Sequence, residues 1–302
     1  MTASAPNTWD LKNLTLNWHS YLRSILEAGH SDLPFERLLF QAQADNAYSD
    51  IVANWSKMSG KEKQEAWDTL QELADKGKDE MLPICVRCGI CCKNGSPTLS
   101  KDDLELVSSG HIPIETLVTI RQGEPVHSKN SDKAYLLPEE KIKIKENPGS
   151  KTCAMYDAAH NSCGLHPHKP AQCRAQACWD PSQSQEQAGA PALCRTEVLA
   201  GADQMMTLIA AHEDRTGYAR FIRLFETLGT DGEDAMSSLL EMLAFDEHVR
   251  DFAQKELAIP EEALPFLFGK RLAKRVRLFG YRVEYKDDGT RILQPMDGTS
   301  PH

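Results

Sequence analysis

Cys85-Val86-Arg87-Cys88-Gly89-Ile90-Cys91-Cys92 places four thiols within eight residues. A second group follows at Cys153, Cys163, Cys173 and Cys178, and Cys194 stands apart from both. Exposed thiols oxidise and exchange, so a chain that concentrates them uses them for disulfides or for metal. Adjacent cysteines such as Cys91 and Cys92 bond to each other only in strained geometry. A chain of 302 residues can also build a core without covalent staples. Metal ligation is the better reading, because a two-residue gap turns both thiolates toward one ion or cluster. The run Cys85-x-x-Cys88-x-x-Cys91 has the spacing with which bacterial ferredoxins hold three corners of an iron–sulfur cluster. Neighbouring side chains diverge by about 100° on a helix and point to opposite sides of a strand, so Cys91 and Cys92 are expected to serve different ligand sets. Two four-thiolate sites fit this pattern, and the sequence leaves open which thiol belongs to which.

Outward from the cysteines, the composition is that of a soluble globular protein. No apolar run approaches the ~20 residues of a membrane span. Residues 1–10 carry neither a basic residue nor an apolar run, so no secretory leader is expected. Together with the thiols this points to a cytoplasmic, reducing location. A net charge of −10 argues against broad nucleic-acid binding, since phosphate backbones repel such a surface. The basic run Lys270-Arg271-Leu272-Ala273-Lys274-Arg275-Val276-Arg277 reads first as a solvated helix face and second as an anion contact.

The expected fold is mainly α: helical N- and C-terminal regions around an irregular cysteine-rich metal-binding core, with a small C-terminal β-hairpin. The division is 1–81, 82–195 and 196–302. Residues 1–10 read as disordered. Helices are expected at 11–30, stopping near Gly29, and at 35–56. A third starts at 61 behind Ser59 as N-cap and runs toward Gly77. The aromatic residues Trp18, Trp55 and Trp67 read as core. Pro83 marks the change to the cysteine segment, and residues 93–97 read as a turn. Ser100 to Asp103 resembles a capping box, and a short helix is expected at 113–121. Lys141 to Lys145 alternates like a strand, and residues 181–191 read as a flexible linker. Further helices are expected at 196–213, 216–228, 233–257 and 260–270. A hairpin then runs from Val276 through Asp287-Asp288-Gly289 to Ile292-Leu293, and the tail from Pro295 reads as disordered.

Cys85-x-x-Cys88-x-x-Cys91-Cys92, Cys153, Cys163 and Lys169-Pro170-x-x-Cys173-Arg174-x-x-x-Cys178 together resemble the YkgJ-type cysteine-cluster family. That family is described as a zinc- or iron-chelating domain with eight cysteines. It is similar to the cysteine region of flagellin lysine N-methylase, and the likeness covers roughly residues 82–180. The family usually carries an aromatic residue where this chain has His166 and an arginine where it has Lys169. The resemblance and the spacing make Cys85, Cys88, Cys91, Cys92, Cys153, Cys163, Cys173 and Cys178 the expected ligands. An iron–sulfur cluster is favoured over zinc, and mononuclear or dinuclear iron is a further option. His166, His168 and Arg174 are candidates to sit beside the metal, with Tyr156 and Asp157 behind them. Cys194 reads as a buried, inert thiol.

Two functions follow. In one, the cluster supports redox or modification chemistry on a protein or small molecule, as a modifying enzyme or an accessory subunit of one. No Gly-rich nucleotide loop, Ser/His/Asp set or radical-type cysteine motif accompanies it. In the other, zinc or iron holds the central loops together in a binding or adaptor protein without catalysis.

Overall fold

The computed structural model describes residues 5–28, 34–80, 84–127, 134–179, 182–286 and 290–296. The fold is mainly α with small two-stranded sheets. Its residues group into two compact units. One comprises Met1–Cys91, Asp157–Cys163 and Ala175–Glu186; the other comprises Cys92–Tyr156, Gly164–Arg174 and Gln187–His302. The boundary falls inside the first cysteine run, at the Cys91–Cys92 peptide bond.

The first unit is built on four helices. Leu11–Ala28 buries Leu14, Trp18, Leu22 and Leu26 at helical spacing. The pattern at 35–56 divides into Phe35–Gln43 and Asn46–Asn54, because the Asp45 side chain accepts the Ala47 N–H and starts a new helix. Gly60–Asp79 follows a complete capping box, in which Ser59 N–H donates to Glu62 at 2.7 Å and Glu62 N–H to Ser59 at 3.4 Å. Residues 5–9 depart from the expected disorder. Pro6–Thr8 forms a 3-10 turn and Trp9 is buried edge-on against Trp67, with ring centroids 4.9 Å apart. The Trp9 carbonyl accepts the Trp55 indole N–H at 3.1 Å and the Lys63 ammonium at 2.8 Å. Trp18, Trp55 and Trp67 are all core residues. Ser182–Ala188 is a helix where a flexible linker was expected. Gly29 and Pro83 lie outside the described residues.

In the second unit, Ser100 and Asp103 form the expected capping box ahead of a 3-10 turn and the Leu104–Ser108 helix. Residues 113–121 are a 3-10 turn followed by a strand, Leu117–Ile120, and not a helix. Val118, Thr119 and Ile120 are β-branched, and the strand pairs antiparallel with the expected strand Lys141–Ile144. Pro125–His127 and Ala134–Leu136 form a further antiparallel pair. The C-terminal helices are Arg195–Val198, Asp203–Thr216, Tyr218–Thr227, Gly232–Glu256, Leu264–Phe268 and Leu272–Arg275. The last hairpin pairs Tyr281–Tyr285 with Arg291–Pro295, while Val276–Phe279 is a 3-10 turn and not strand. The hairpin's turn at 287–289 lies outside the described residues.

A charged network runs through the interior of this unit. Arg121 grips Glu213 with its Nε at 2.8 Å and its Nη2 at 2.5 Å, and also reaches the Thr216 carbonyl. Arg195 joins Glu213 at 2.7 Å and Glu140 at 2.5 Å. Asp246 accepts from His212 at 2.8 Å, Arg250 at 3.0 Å and the Leu272 N–H at 3.0 Å. Gly269 has φ +69, and a Cβ there would lie 2.7 Å from the Arg121 side chain, so only glycine lets the Leu264–Phe268 helix end against this arginine. The basic run is not one solvated face. Arg275 pairs with Glu124 at 2.8 Å, Arg271 with Glu261 at 3.2 Å, and burial pushes the Lys270 ammonium below its usual range. No helix among the described residues is long and apolar enough to cross a membrane.

Candidate metal centre

In the first unit the thiols sit on a loop whose backbone turns sharply twice. Arg87 and Gly89 both have positive φ, 57 and 77, while Val86 between the first two cysteines is buried and anchors the loop. Glycine takes this conformation freely, whereas arginine holds it only at a cost of ~1–3 kcal/mol. The second turn brings the Ile90 N–H onto the Cys88 sulfur. Burial pushes the Cys88 thiol above its ordinary range, the Ile90 N–H pulls it back, and Cys91, Cys178 and Cys85 push it up again. Cys88 is thus within electrostatic reach of three other cysteines, one of them far away in sequence. Cys85, Cys91 and Cys178 are exposed at the surface of the unit. Cys163 belongs to the same unit, at the end of the strand Ser162–Cys163.

Cys92, Cys153 and Cys173 belong to the second unit. The Cys153 N–H donates to the Cys92 carbonyl at 2.8 Å, and the following Ala154 N–H donates to the Lys145 carbonyl at 2.9 Å, so main-chain hydrogen bonds hold Cys153 in place. Cys173 rides on the short helix Ala171–Ala175. Two residues that spacing did not single out hold that helix. Buried Asp103 accepts the Ala171 N–H at 2.7 Å while also accepting the Ser100 N–H at 2.9 Å. The Gln172 side chain accepts the Thr98 N–H at 2.5 Å. The capping-box pattern pointed to Asp103 as a helix start; nothing local marks its second task.

His168 packs against His111, ring centroids 3.8 Å apart, and His111 shares a 2.7 Å hydrogen bond with Ser109. His166 shares the same 3-10 turn, His166–His168. Arg174 donates to the Lys169 carbonyl at 2.5 Å, closing the loop ahead of Cys173. Tyr156 is buried, with the Lys93 ammonium 5.6 Å from its ring centroid. Asp157, in the first unit, pairs with His160 at 2.6 Å. Cys194 is partly exposed, not buried as expected. It precedes the Arg195–Val198 helix, and burial with nearby Glu140 and Glu197 pushes its thiol above its ordinary range.

No disulfide joins any of the nine cysteines. Among the described residues, no group of three or more His, Cys, Asp or Glu side chains is set closely enough to hold a metal ion as it stands. The donor chemistry nevertheless fits such an ion. Soft thiolates select zinc and iron–sulfur centres over hard cations, and the thiols that raise Cys88 are the groups a bound cation would hold deprotonated.

No curated protein and no solved structure matches the chain. Residues 84–195 do match one family model, which spans both cysteine groups and Asp103. That model is the CxxCxxCC family, "Putative zinc- or iron-chelating domain", and the cysteine-bearing stretch of this chain is similar to it.

Proposed function

We propose that the chain is a cysteine-cluster metalloprotein in which Cys85, Cys88, Cys91 and Cys178 form one thiolate site. Cys92, Cys153 and Cys173 belong to a separate set, and Cys163 is a further ligand. The observation that supports this is that Cys91, Cys178 and Cys85, all in one compact unit with Cys88, act on its thiol electrostatically. Three thiols at two-residue spacing with a remote fourth is an iron–sulfur arrangement, whereas structural zinc sites more often use two Cys-x-x-Cys pairs. An iron–sulfur cluster is therefore the favoured occupant.

Such a cluster supplies electron transfer or Lewis-acid chemistry when bound. The chain's own contribution is geometric. The Ile90 N–H stabilises the Cys88 thiolate, and the left-handed turns at Arg87 and Gly89 bend the run around it. A role in modifying a protein or small molecule agrees with this donor set, and thiols outside disulfides suit a reducing compartment. The second reading, a zinc- or iron-stapled adaptor, is favoured by the main-chain anchoring of Cys153, which suits a purely structural centre.

Metal and acid-labile sulfide analysis of anaerobically purified protein separates the two. Iron with comparable sulfide and a visible charge-transfer band is expected. Colourless protein with stoichiometric zinc and no sulfide would establish the structural reading instead.

A further inference from the structure

Arg37 lies on the Phe35–Gln43 helix, well ahead of the first thiol and outside residues 84–195. Its side chain is completely buried. One guanidinium nitrogen donates to the Ile84 carbonyl at 2.8 Å. The guanidinium carbon lies 4.6 Å from the Trp179 ring centroid. Ile84 immediately precedes Cys85, and Trp179 immediately follows Cys178. One side chain thus grips the two segments that carry the outermost thiols of the first unit. These segments are far apart in sequence, and bringing them together costs chain entropy that rises with loop length. A contact that already holds them lets the metal bind without that cost. Arginine suits the task, since its planar fork donates in one direction while its face stacks on indole; lysine offers a point charge only.

We propose that Arg37 is a positioning residue for metal capture, presetting Cys178 against the Cys85–Cys91 run. The N-terminal helices then form part of the metal site although the cysteine motif does not reach them. This rests on the four-thiolate reading of Cys85, Cys88, Cys91 and Cys178.

The test uses full-length apoprotein titrated anaerobically with Co2+. It follows the sulfur-to-cobalt charge-transfer bands and the d–d bands of tetrahedral cobalt, with affinity measured against a chromophoric chelator. Wild type is expected to give a tetrahedral, thiolate-rich spectrum. Arg37→Met is expected to bind about 10–100-fold more weakly, with weaker charge transfer as water replaces one sulfur, and Arg37→Lys to recover part of both. Trp179→Leu, which removes the stack and leaves the Ile84 hydrogen bond, is expected to show the same spectral change in smaller measure. It carries the test if Arg37→Met fails to fold. Wild-type spectrum and affinity in Arg37→Met, or in Trp179→Leu when that is the folded variant, would overturn the role of Arg37 and leave the metal site standing. Wild-type protein with no sulfur-to-cobalt bands would instead overturn the four-thiolate reading beneath it.

Discussion

Asp246→Ala is expected to cost about 3–5 kcal/mol of folding stability, enough to unfold the second unit at moderate denaturant. The carboxylate is completely buried on the Gly232–Glu256 helix, where it accepts from His212, Arg250 and the Leu272 N–H. Removing it leaves a buried guanidinium and an orphaned backbone donor, and breaking a buried pair from one side carries a penalty of that size. Burial raises the Asp246 pKa, but His212 and Arg250 more than offset this and hold it at about 2.

His212 is shifted the other way from the usual paired histidine. Burial lowers its pKa, and the hydrogen bond it donates to Asp246 only partly restores it. As pH falls through the ordinary histidine value of 6.5, the unfolded chain takes up a proton that the folded chain resists, so stability drops. Asp246 adds a second loss below its ordinary value of 3.8, on the way down to about 2. Urea unfolding between pH 8 and 5 should therefore show stability falling from about pH 6.5 downward, with a shallower slope in His212→Asn. A flat profile in wild type would mean that His212 takes up its proton alike in the folded and unfolded chains.

Cys178→Ser is expected to abolish stable metal binding at the first-unit site, while Cys173→Ser leaves that site's spectrum intact. Loss of a ligating thiolate should exceed the ~10–100-fold effect of changing a group behind the ligands. The asymmetry is the informative part. Cys173 and Cys178 are close in sequence and belong to the same motif, yet they fall in different compact units, and Cys178 is one of the cysteines that act on Cys88. Metal content and cobalt spectra of both variants decide it. If Cys173→Ser removes the spectrum and Cys178→Ser does not, the assignment of thiols is wrong.

Helical periodicity made the architecture legible where it was strong. Leu14, Trp18 and Leu22 lie on the buried face they were expected to form, and Ser59 caps its helix as expected. Where local signals were weak or competed, the structure differs. Asp45 divides one apolar pattern into two helices, and Trp9 orders a segment that composition alone makes look loose. Leu117–Ile120 became a strand because the alternating segment at Lys141–Ile144 offers it an edge, a non-local cause that a window of sequence does not contain. The cysteines were plain from spacing. Asp103, Gln172 and Arg37 were not, because each acts on backbone brought near by folding.

The hydrogen bond from the Cys153 amide to the Cys92 carbonyl involves no sulfur at all. It should survive when chelators strip the protein, so the Cys153 amide proton is expected to exchange slowly with deuterated solvent even in the demetallated chain. Part of the scaffold for the second set of thiols would then be ready before any ion arrives, and metal loading there would resemble filling a socket more than folding a loop.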